Sequence, residues 1–500
     1  MKRWFFRYLC IFGVVAILST IAITGSFKIS EMIDASSQKN AETIIVGTGL
    51  TVVAIAIAVW AGLNIATAFD RRELLDYTAK LREENDLVQR ELEKTKTTLH
   101  DRYLQEFLLS LSSTLDPQHM RVSKWMSHIF QKQENYVSTD DLIKLTKYET
   151  VYNRVLLLYR HGNSDNAVIR EVNDVSSEIS SSIQEFGKKS KITAYLHFLF
   201  GELLYCSGFS YINKCSYVDS ITVFLESAVE YREYVYLKYK FDIECHSEWG
   251  DNHSKEENEE MAYLMNEIGS CYSECIRCFN SADIETQNEI KEQENWDIDI
   301  ILRYAKKCCN LSTTIQRKVG IEREVYFRNY GCVFEREYMY QISQKQTPDN
   351  VLLTDAAEQY RLAYRVCKTS HAIYHAIISN YDKQIRALLS IPIMLQKNEI
   401  PDTPSKALRK NKREDIMKLL QEQKRYIDVA RNLFPLNERF VYFFIQSRAY
   451  YYLVEENGEK RIHEVESAKV ALEYLALIAA EGRDGQFFGL ANTAVNTWCC

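Results

Sequence analysis

The sequence predicts an all-α protein in three parts: a transmembrane helical hairpin, a coiled-coil stalk and a cytoplasmic array of helices. This prediction depends on two long uncharged segments near the N-terminus, a heptad pattern after them and a scarcity of turn residues. The 500 residues include 6 prolines and 17 glycines, and no proline lies between Pro117 and Pro348. Because strands need turns, and turns use glycine and proline, such a span indicates one helix after another.

The two uncharged segments predict the hairpin, with helices at about 4–25 and 43–69. Residues 8–24 and residues 43–69 contain no charged side chain. Each is long enough to cross a hydrocarbon core of about 30 Å as a helix. The domain boundaries predicted from the sequence are therefore 1–69 for the hairpin, 70–114 for the stalk and 115–500 for the helical array.

Basic residues at the ends of the hairpin predict its orientation. Lys2, Arg3 and Arg7 flank the first segment, and Arg71 and Arg72 follow the second. The positive-inside rule then places both termini in the cytoplasm of a two-pass protein of the inner or plasma membrane. The alternative is that the first segment is a cleaved signal peptide.

The cysteine content indicates that the remainder of the chain lies in a reducing compartment. The 13 cysteines form an odd, irregularly spaced set, many of them in apolar helical patterns. Such a set is typical of reduced thiols packed as small apolar residues, and a secreted disulfide framework is not expected. The formal net charge of −7 gives no general attraction to nucleic acid, and we expect no nucleic-acid partner.

A heptad pattern in residues 70–114 predicts a parallel dimeric coiled coil. Apolar residues recur every seven positions in two series offset by four, and Asn85 occupies an a position. A buried Asn at this position pairs with its mate and selects a dimer in register. The alternative is a long amphipathic helix packed on its own domain. The predicted dimer seam consists of Leu74, Thr78, Leu81, Asn85, Val88, Leu92 and Leu99.

Beyond Pro117 the apolar residues recur at helical spacing almost to the end of the chain. The predicted helices cover roughly 120–134, 139–161, 166–187, 191–206, 217–241, 256–280, 296–318, 321–343, 351–391, 405–433, 437–455 and 462–481.

Several of these helices contain a small residue at a fixed distance from large ones. Residues 265–272, MNEIGSCY, carry Met265, Ile268, Gly269 and Tyr272 in the pattern M-x2-I-G-x2-Y, and residues 327–334, FRNYGCVF, repeat it with Phe327, Gly331 and Phe334. Gly201 is the small residue of a third copy, HFLFGELL. Matching second helices carry Phe224 in one case and Ala356, Tyr360 and Ala363 in another.

These patterns resemble the signature of tetratricopeptide-repeat-like α-solenoids over roughly residues 140–480, in a degenerate form. The three glycines are 68 and 62 residues apart, whereas the family repeat is about 34 residues. The resemblance implies pairs of helices stacked into an array with a concave groove that binds a peptide or a partner protein.

Cys271, Cys275 and Cys278 have the C-x3-C-x2-C spacing that radical-SAM enzymes use for an iron–sulfur cluster. On a helix, however, the same positions fall on one face. We therefore expect these thiols in a helical core, with neither a cofactor nor a metal site; a cluster or a structural zinc is the alternative.

One residue spacing in the sequence resembles a catalytic motif. Arg365 and His371 give an R-x5-H spacing that resembles the R-x4–6-H pattern of the all-helical HEPN ribonucleases. Arg and His are common on helix surfaces, and we expect no enzymatic activity.

The sequence thus predicts a membrane-anchored interaction or signalling adaptor. Its expected partners are the lipid bilayer, a peptide or protein ligand of unknown identity, and a second copy of the chain through the stalk. The alternatives are a membrane-disrupting effector triggered through the array, and a HEPN-like ribonuclease.

Overall fold

The computed structural model describes residues 38–114, 116–131, 137–162, 164–187, 191–246, 248–250, 252–293, 296–389 and 410–435, with isolated positions before and after. Every regular element in these ranges is an α-helix. The chain divides into two compact units, Met1–Arg102 and Tyr103–Cys500.

The helices in chain order are α1 (Gln38–Ser112), α2 (Pro117–Gln131), α3 (Thr139–His161), α4 (Asp165–Phe186), α5 (Lys191–Asn213), α6 (Tyr217–Tyr239), α7 (Lys255–Ser281), α8 (Ile284–Lys291), α9 (Ile298–Val319), α10 (Glu324–Ser343), α11 (Val351–Val366), α12 (His371–Leu389) and α13 (Lys410–Leu433).

The predicted transmembrane hairpin is wrong on the part of the chain that the structure describes. Residues 43–69 form the first part of α1, which continues without a break into the charged sequence that ends at Ser112. Within that part, small and polar residues such as Gly49, Thr51, Gly62 and Asn64 interrupt the apolar side chains. Among the described residues, none of the helices combines the length and the apolar character that crossing a bilayer requires.

The predicted two-pass localisation, with both termini in the cytoplasm, is wrong for the same reason. The first predicted span, residues 4–25, lies outside the described residues apart from four isolated positions. The predicted helix at 462–481 lies outside them as well, and the one at 437–455 is described only at scattered positions.

The seven residues of the predicted dimer seam all lie on α1, and all are exposed in the single chain. Leu74 and Val88 are each 62% exposed, and Leu81 and Leu92 are each 46% exposed. An apolar row of this kind is what a coiled coil covers when two helices associate.

Side-chain caps explain where several helices of the second unit begin. Ser254 and Glu257 form a reciprocal capping box at the start of α7. Asp283 and Asp297 accept backbone N–H groups at the starts of α8 and α9. The predicted helix 351–391 is in fact two helices, α11 and α12, because the chain leaves the helical path at Cys367 and resumes it at His371.

The long helices of the second unit pack as consecutive pairs: α5 with α6, α7 with α9, α10 with α11, and α12 with α13. Each pair also contacts the next, since α6 packs on α7, α9 on α10 and α11 on α12. The protein is therefore all-helical in its described part, with the helix packing of a helical-repeat solenoid.

Glycines allow the helices of three pairs to approach each other closely. A Cβ placed at Gly269 would lie 2.6 Å from Cys309 Sγ and 3.2 Å from its backbone N, and one at Gly331 would lie 2.4 Å from Tyr360 Cε1. Gly201 meets the Tyr231 ring in the same way, at 3.1 Å. A side chain at these positions would force the helices apart.

The other residues of the repeat-like sequence patterns lie mainly in the interior of the second unit. The side chains of Phe224, Met265, Ile268, Tyr272, Phe327, Ala356, Tyr360 and Ala363 are buried, and Phe334 is half-buried against a neighbouring cluster. Nine of the largest fully buried side chains are tyrosines. Much of the high tyrosine content therefore serves the core.

We expect Gly331→Ala to destabilise the second unit by about 1–3 kcal/mol, because the new methyl group overlaps the Tyr360 ring. The overlap outweighs the gain in helix propensity of about 1 kcal/mol. Urea unfolding followed by circular dichroism measures the change.

The matched control is Gly62→Ala on α1, where a Cβ meets nothing within 4 Å. This control should be neutral or stabilising. Equal stability of the wild type and Gly331→Ala would contradict the close approach.

Candidate functional site

The second unit contains a cavity of about 580 Å³ lined mainly by α3, α5, α7 and α10. A volume of this size is typical of pockets that bind small molecules or anchor a side chain of a partner. Because α5, α7 and α10 supply most of the lining, we call them the inner helices. Their partners α6, α9 and α11 contribute no lining residue and are called the outer helices.

Glu202 on α5 is 6% exposed and lines the cavity. Tyr231 Oη donates a hydrogen bond of 2.9 Å to its Oε1, and Tyr263 Oη donates one of 2.5 Å to the same atom. No hydrogen bond from a described residue reaches its Oε2. Burial raises the pKa of this carboxyl to about 7, although the two tyrosine hydroxyls oppose the rise.

Glu267 on α7 is the second buried carboxyl of the cavity, and it is 9% exposed. Burial raises its pKa to about 8, with a further contribution from the charge of Glu202. Asn266 Nδ2 donates a hydrogen bond of 3.0 Å to Glu267 Oε1. In the described residues neither Glu202 nor Glu267 forms an ion pair, and burial brings the pKa of both carboxyls into the neutral range.

On the side of the cavity between α7 and α10, side chains of α10 donate hydrogen bonds to side chains of α7. Arg336 donates hydrogen bonds of 2.6 Å to Ser273 Oγ and 2.7 Å to Glu274 Oε1. Asn329 Nδ2 donates at 3.1 Å to both Asn266 Oδ1 and Ser270 Oγ. These bonds therefore position the two helices, and the charges of Arg336 and Glu274 are already paired.

Aromatic rings form another part of the lining: Tyr159, Tyr205, Phe209, Tyr263 and Tyr326. Tyr205 and Phe209 pack edge to face at 5.1 Å, and Tyr159 lies 6.0 Å from Phe209. Aromatic faces carry a negative quadrupole that attracts cations. The two carboxyls and these rings favour a positively charged group, whereas Arg323 and Arg328, which also line the cavity, oppose one.

A buried His119–Glu149 pair is near enough to Glu202 to influence its charge. His119 Nε2 lies 2.9 Å from Glu149 Oε1, and both side chains are fully buried. Burial alone would lower the pKa of His119, but the Glu149 carboxylate raises it above its usual value. The protonated imidazole partly offsets the effect of burial on the pKa of Glu202.

The cysteines of the C-x3-C-x2-C run all lie buried on α7 and face α6. Cys271 Sγ contacts Ser227 Oγ at 3.5 Å, Cys275 Sγ contacts the Ile221 carbonyl at 3.8 Å, and Cys278 Sγ contacts Ser220 Oγ at 3.5 Å. Burial raises the pKa of each thiol above its usual value. Within the described ranges, no group of three or more His, Cys, Asp or Glu side chains is arranged to hold a metal ion.

Arg365 and His371 lie at the end of α11 and the start of α12. Arg365 is exposed, whereas His371 Nε2 bonds Asn437 Nδ2 at 2.7 Å and packs against Phe434 and Phe440. No contact joins Arg365 to His371 among the described residues. The structure thus places the two candidate residues on adjacent helix ends without bringing their side chains together.

Glu202 and Glu267 were not predicted from the sequence as site residues. A signal was present, because Glu202 is the only carboxyl in the largely apolar helix α5 and directly follows the packing glycine Gly201. Glu267 similarly precedes Gly269 by two positions. An acid within two residues of a close-packing glycine lies on or next to the buried face of its helix.

The sequence matches no protein-family model, and no curated protein is similar enough to be a relative. The class that fold and site define is therefore an all-helical array, solenoid-like in its packing, with an acidic and aromatic cavity on its inner helices.

Linkage predicts how the cavity acids affect stability. A carboxyl whose pKa is higher in the folded state binds more protons when folded, so stability falls as pH rises from the unfolded pKa through the folded one. For Glu267 this window extends from about 4.5 to about 8. Glu267→Gln, which keeps the shape without the charge, should therefore match the wild type at pH 5 and exceed it by at least about 1 kcal/mol at pH 9.

Urea unfolding of both proteins at the two pH values measures this difference. Glu358→Gln on α11 is the control, because Glu358 is exposed and should give the same small effect at both pH values. A Glu267→Gln protein that is less stable than the wild type at pH 9 would contradict the assignment.

Proposed function

We propose that the protein is an interaction adaptor whose helical array binds a peptide or a segment of a partner protein in the cavity of the inner helices. The observation that carries this proposal is the cavity itself, about 580 Å³ in volume, with two buried carboxyls that have no ion-pair partner among the described residues. Acids whose pKa is strongly raised by burial in a cavity are typical of functional sites.

The repeat-like sequence patterns support the same proposal. If the array is tetratricopeptide-like, the first helix of each pair lines the concave groove and the second helix of the pair lies behind it. The cavity lining comes from α5, α7 and α10, the helices that carry Gly201, Gly269 and Gly331. The glycine-bearing face of each inner helix packs on its outer partner, which leaves another face for the ligand.

A random peptide display library, screened against the full chain, tests the proposal. We expect enriched peptides whose affinity falls at least tenfold in Ser270→Phe. Ser270 is 6% exposed and lines the cavity, so a phenyl ring there occupies the ligand volume. Asn329→Phe fills the cavity from α10 and provides an independent second variant.

Ser177→Phe on α4 is the matched control, since Ser177 is exposed and outside the cavity. Circular dichroism checks that the variants remain helical. The proposal fails if no peptide is enriched, or if the enriched peptides bind both cavity-filled variants as well as the wild type.

We further propose that the chain forms a parallel dimer through the seam on α1. The exposed heptad row with Asn85 at an a position supports this proposal. A dimer would present two cavities to the partner, which increases avidity when the partner carries two copies of the recognised segment.

Analytical ultracentrifugation of the full chain tests the dimer. Leu81→Glu/Leu92→Glu places charges in the seam and should convert the dimer to a monomer at micromolar concentration. Leu75→Glu/Leu87→Glu changes two leucines outside the seam, which are 67% and 53% exposed, and should leave the dimer intact. A monomeric wild type, or equal dissociation of both double variants, would contradict the seam.

A further inference from the structure

We propose that the group bound in the cavity is an alkylammonium ion, held between Glu202 and Glu267 and against the aromatic wall. Two sources share this chemistry, a lysine side chain of a bound peptide and a free polyamine. The inference rests on the proposed function, because it names the chemical class of ligand that the same cavity takes.

The first argument is the position of the carboxyls. Glu202 and Glu267 are buried in the cavity, whereas Arg323 and Arg328, which also line it, are only half-buried. The third arginine of the lining, Arg336, is already bonded to Glu274. The deep part of the cavity therefore presents uncompensated acid, and the available cations lie nearer the solvent.

The second argument is an unused acceptor. Both tyrosine donors reach Oε1 of Glu202, so Oε2 receives no hydrogen bond from a described residue. An ammonium group carries three donors and no acceptor, and therefore suits a site that has acceptors to spare. The rings of Tyr205 and Tyr263 line the same cavity and supply aromatic surface for a cation–π contact.

The third argument is the response to pH. An ammonium ion beside the two acids favours their charged forms, so binding releases protons. Affinity should rise from pH 6 to about pH 8 and then level off, because an alkylammonium keeps its charge to about pH 10. Among the described residues, the titratable and charged groups around the two acids are Asp116, His119, Tyr152, Tyr159, Tyr205, Cys206, Tyr231, Tyr263, Cys271, Glu274, Cys309, Arg323, Tyr326, Arg328, Cys332 and Arg336.

Isothermal titration calorimetry of the full chain tests the inference with defined probes: spermidine, the peptide acetyl-AAAKAAA-amide, and the same peptide with norleucine or glutamate in place of lysine. We expect spermidine or the lysine peptide to bind at least tenfold more tightly than the norleucine peptide. Titrations in two buffers of different ionisation enthalpy should show proton release at pH 7.5.

Glu202→Gln should weaken that binding at least tenfold, and Glu358→Gln should leave it unchanged. Since Glu202→Gln removes a buried acid and keeps its shape, we expect it to fold, and circular dichroism verifies this. The inference is overturned if neither spermidine nor the lysine peptide binds more tightly than the norleucine peptide, or if the glutamate peptide or inorganic phosphate binds preferentially.

The outcomes separate this inference from the proposed function. If library peptides bind and Ser270→Phe blocks them, but lysine is irrelevant, the adaptor proposal stands and the ammonium inference fails. If spermidine binds through Glu202 and no peptide binds, the ammonium inference stands and the peptide proposal fails.

Discussion

The close approach of helices at Gly269 and Gly331 is the constraint on which the array depends. At both positions the partner helix fills the space that a side chain would need, so each inner helix is fixed against its outer partner by direct contact. With one face occupied in this way, other faces of α5, α7 and α10 turn toward one another and line the cavity. Packing on one side of a helix therefore decides which residues are available for binding on another.

The two buried acids of the cavity destabilise the array. Glu202 and Glu267 are removed from water without an ion-pair partner among the described residues, and burial raises the pKa of both. A hydrophobic core of the same shape would be more stable without them. By contrast, Glu274 is paired with Arg336, and Glu149 with His119. Glu202 and Glu267 thus differ from the other buried carboxyls of the described residues, which form ion pairs.

Local patterns in the sequence predicted much of the helical architecture, because 3.6-residue periodicity and small residues among large ones report directly on helix packing. The break between α11 and α12 escaped prediction, since neither glycine nor proline marks Cys367–Ser370. The membrane hairpin was wrong, because lack of charge in residues 43–69 does not by itself separate a spanning helix from part of a longer one. The cavity acids were missed because their proximity depends on which inner helices become neighbours.

Hydrogen exchange measured by mass spectrometry most directly tests the central claim that the inner helices form the binding site. The full chain is compared with and without a saturating ligand, either spermidine or a library-selected peptide. We predict slower exchange in α5, α7 and α10, with α6, α9 and α11 little changed. Protection confined to the outer helices, or no protection at saturation, would contradict the claim.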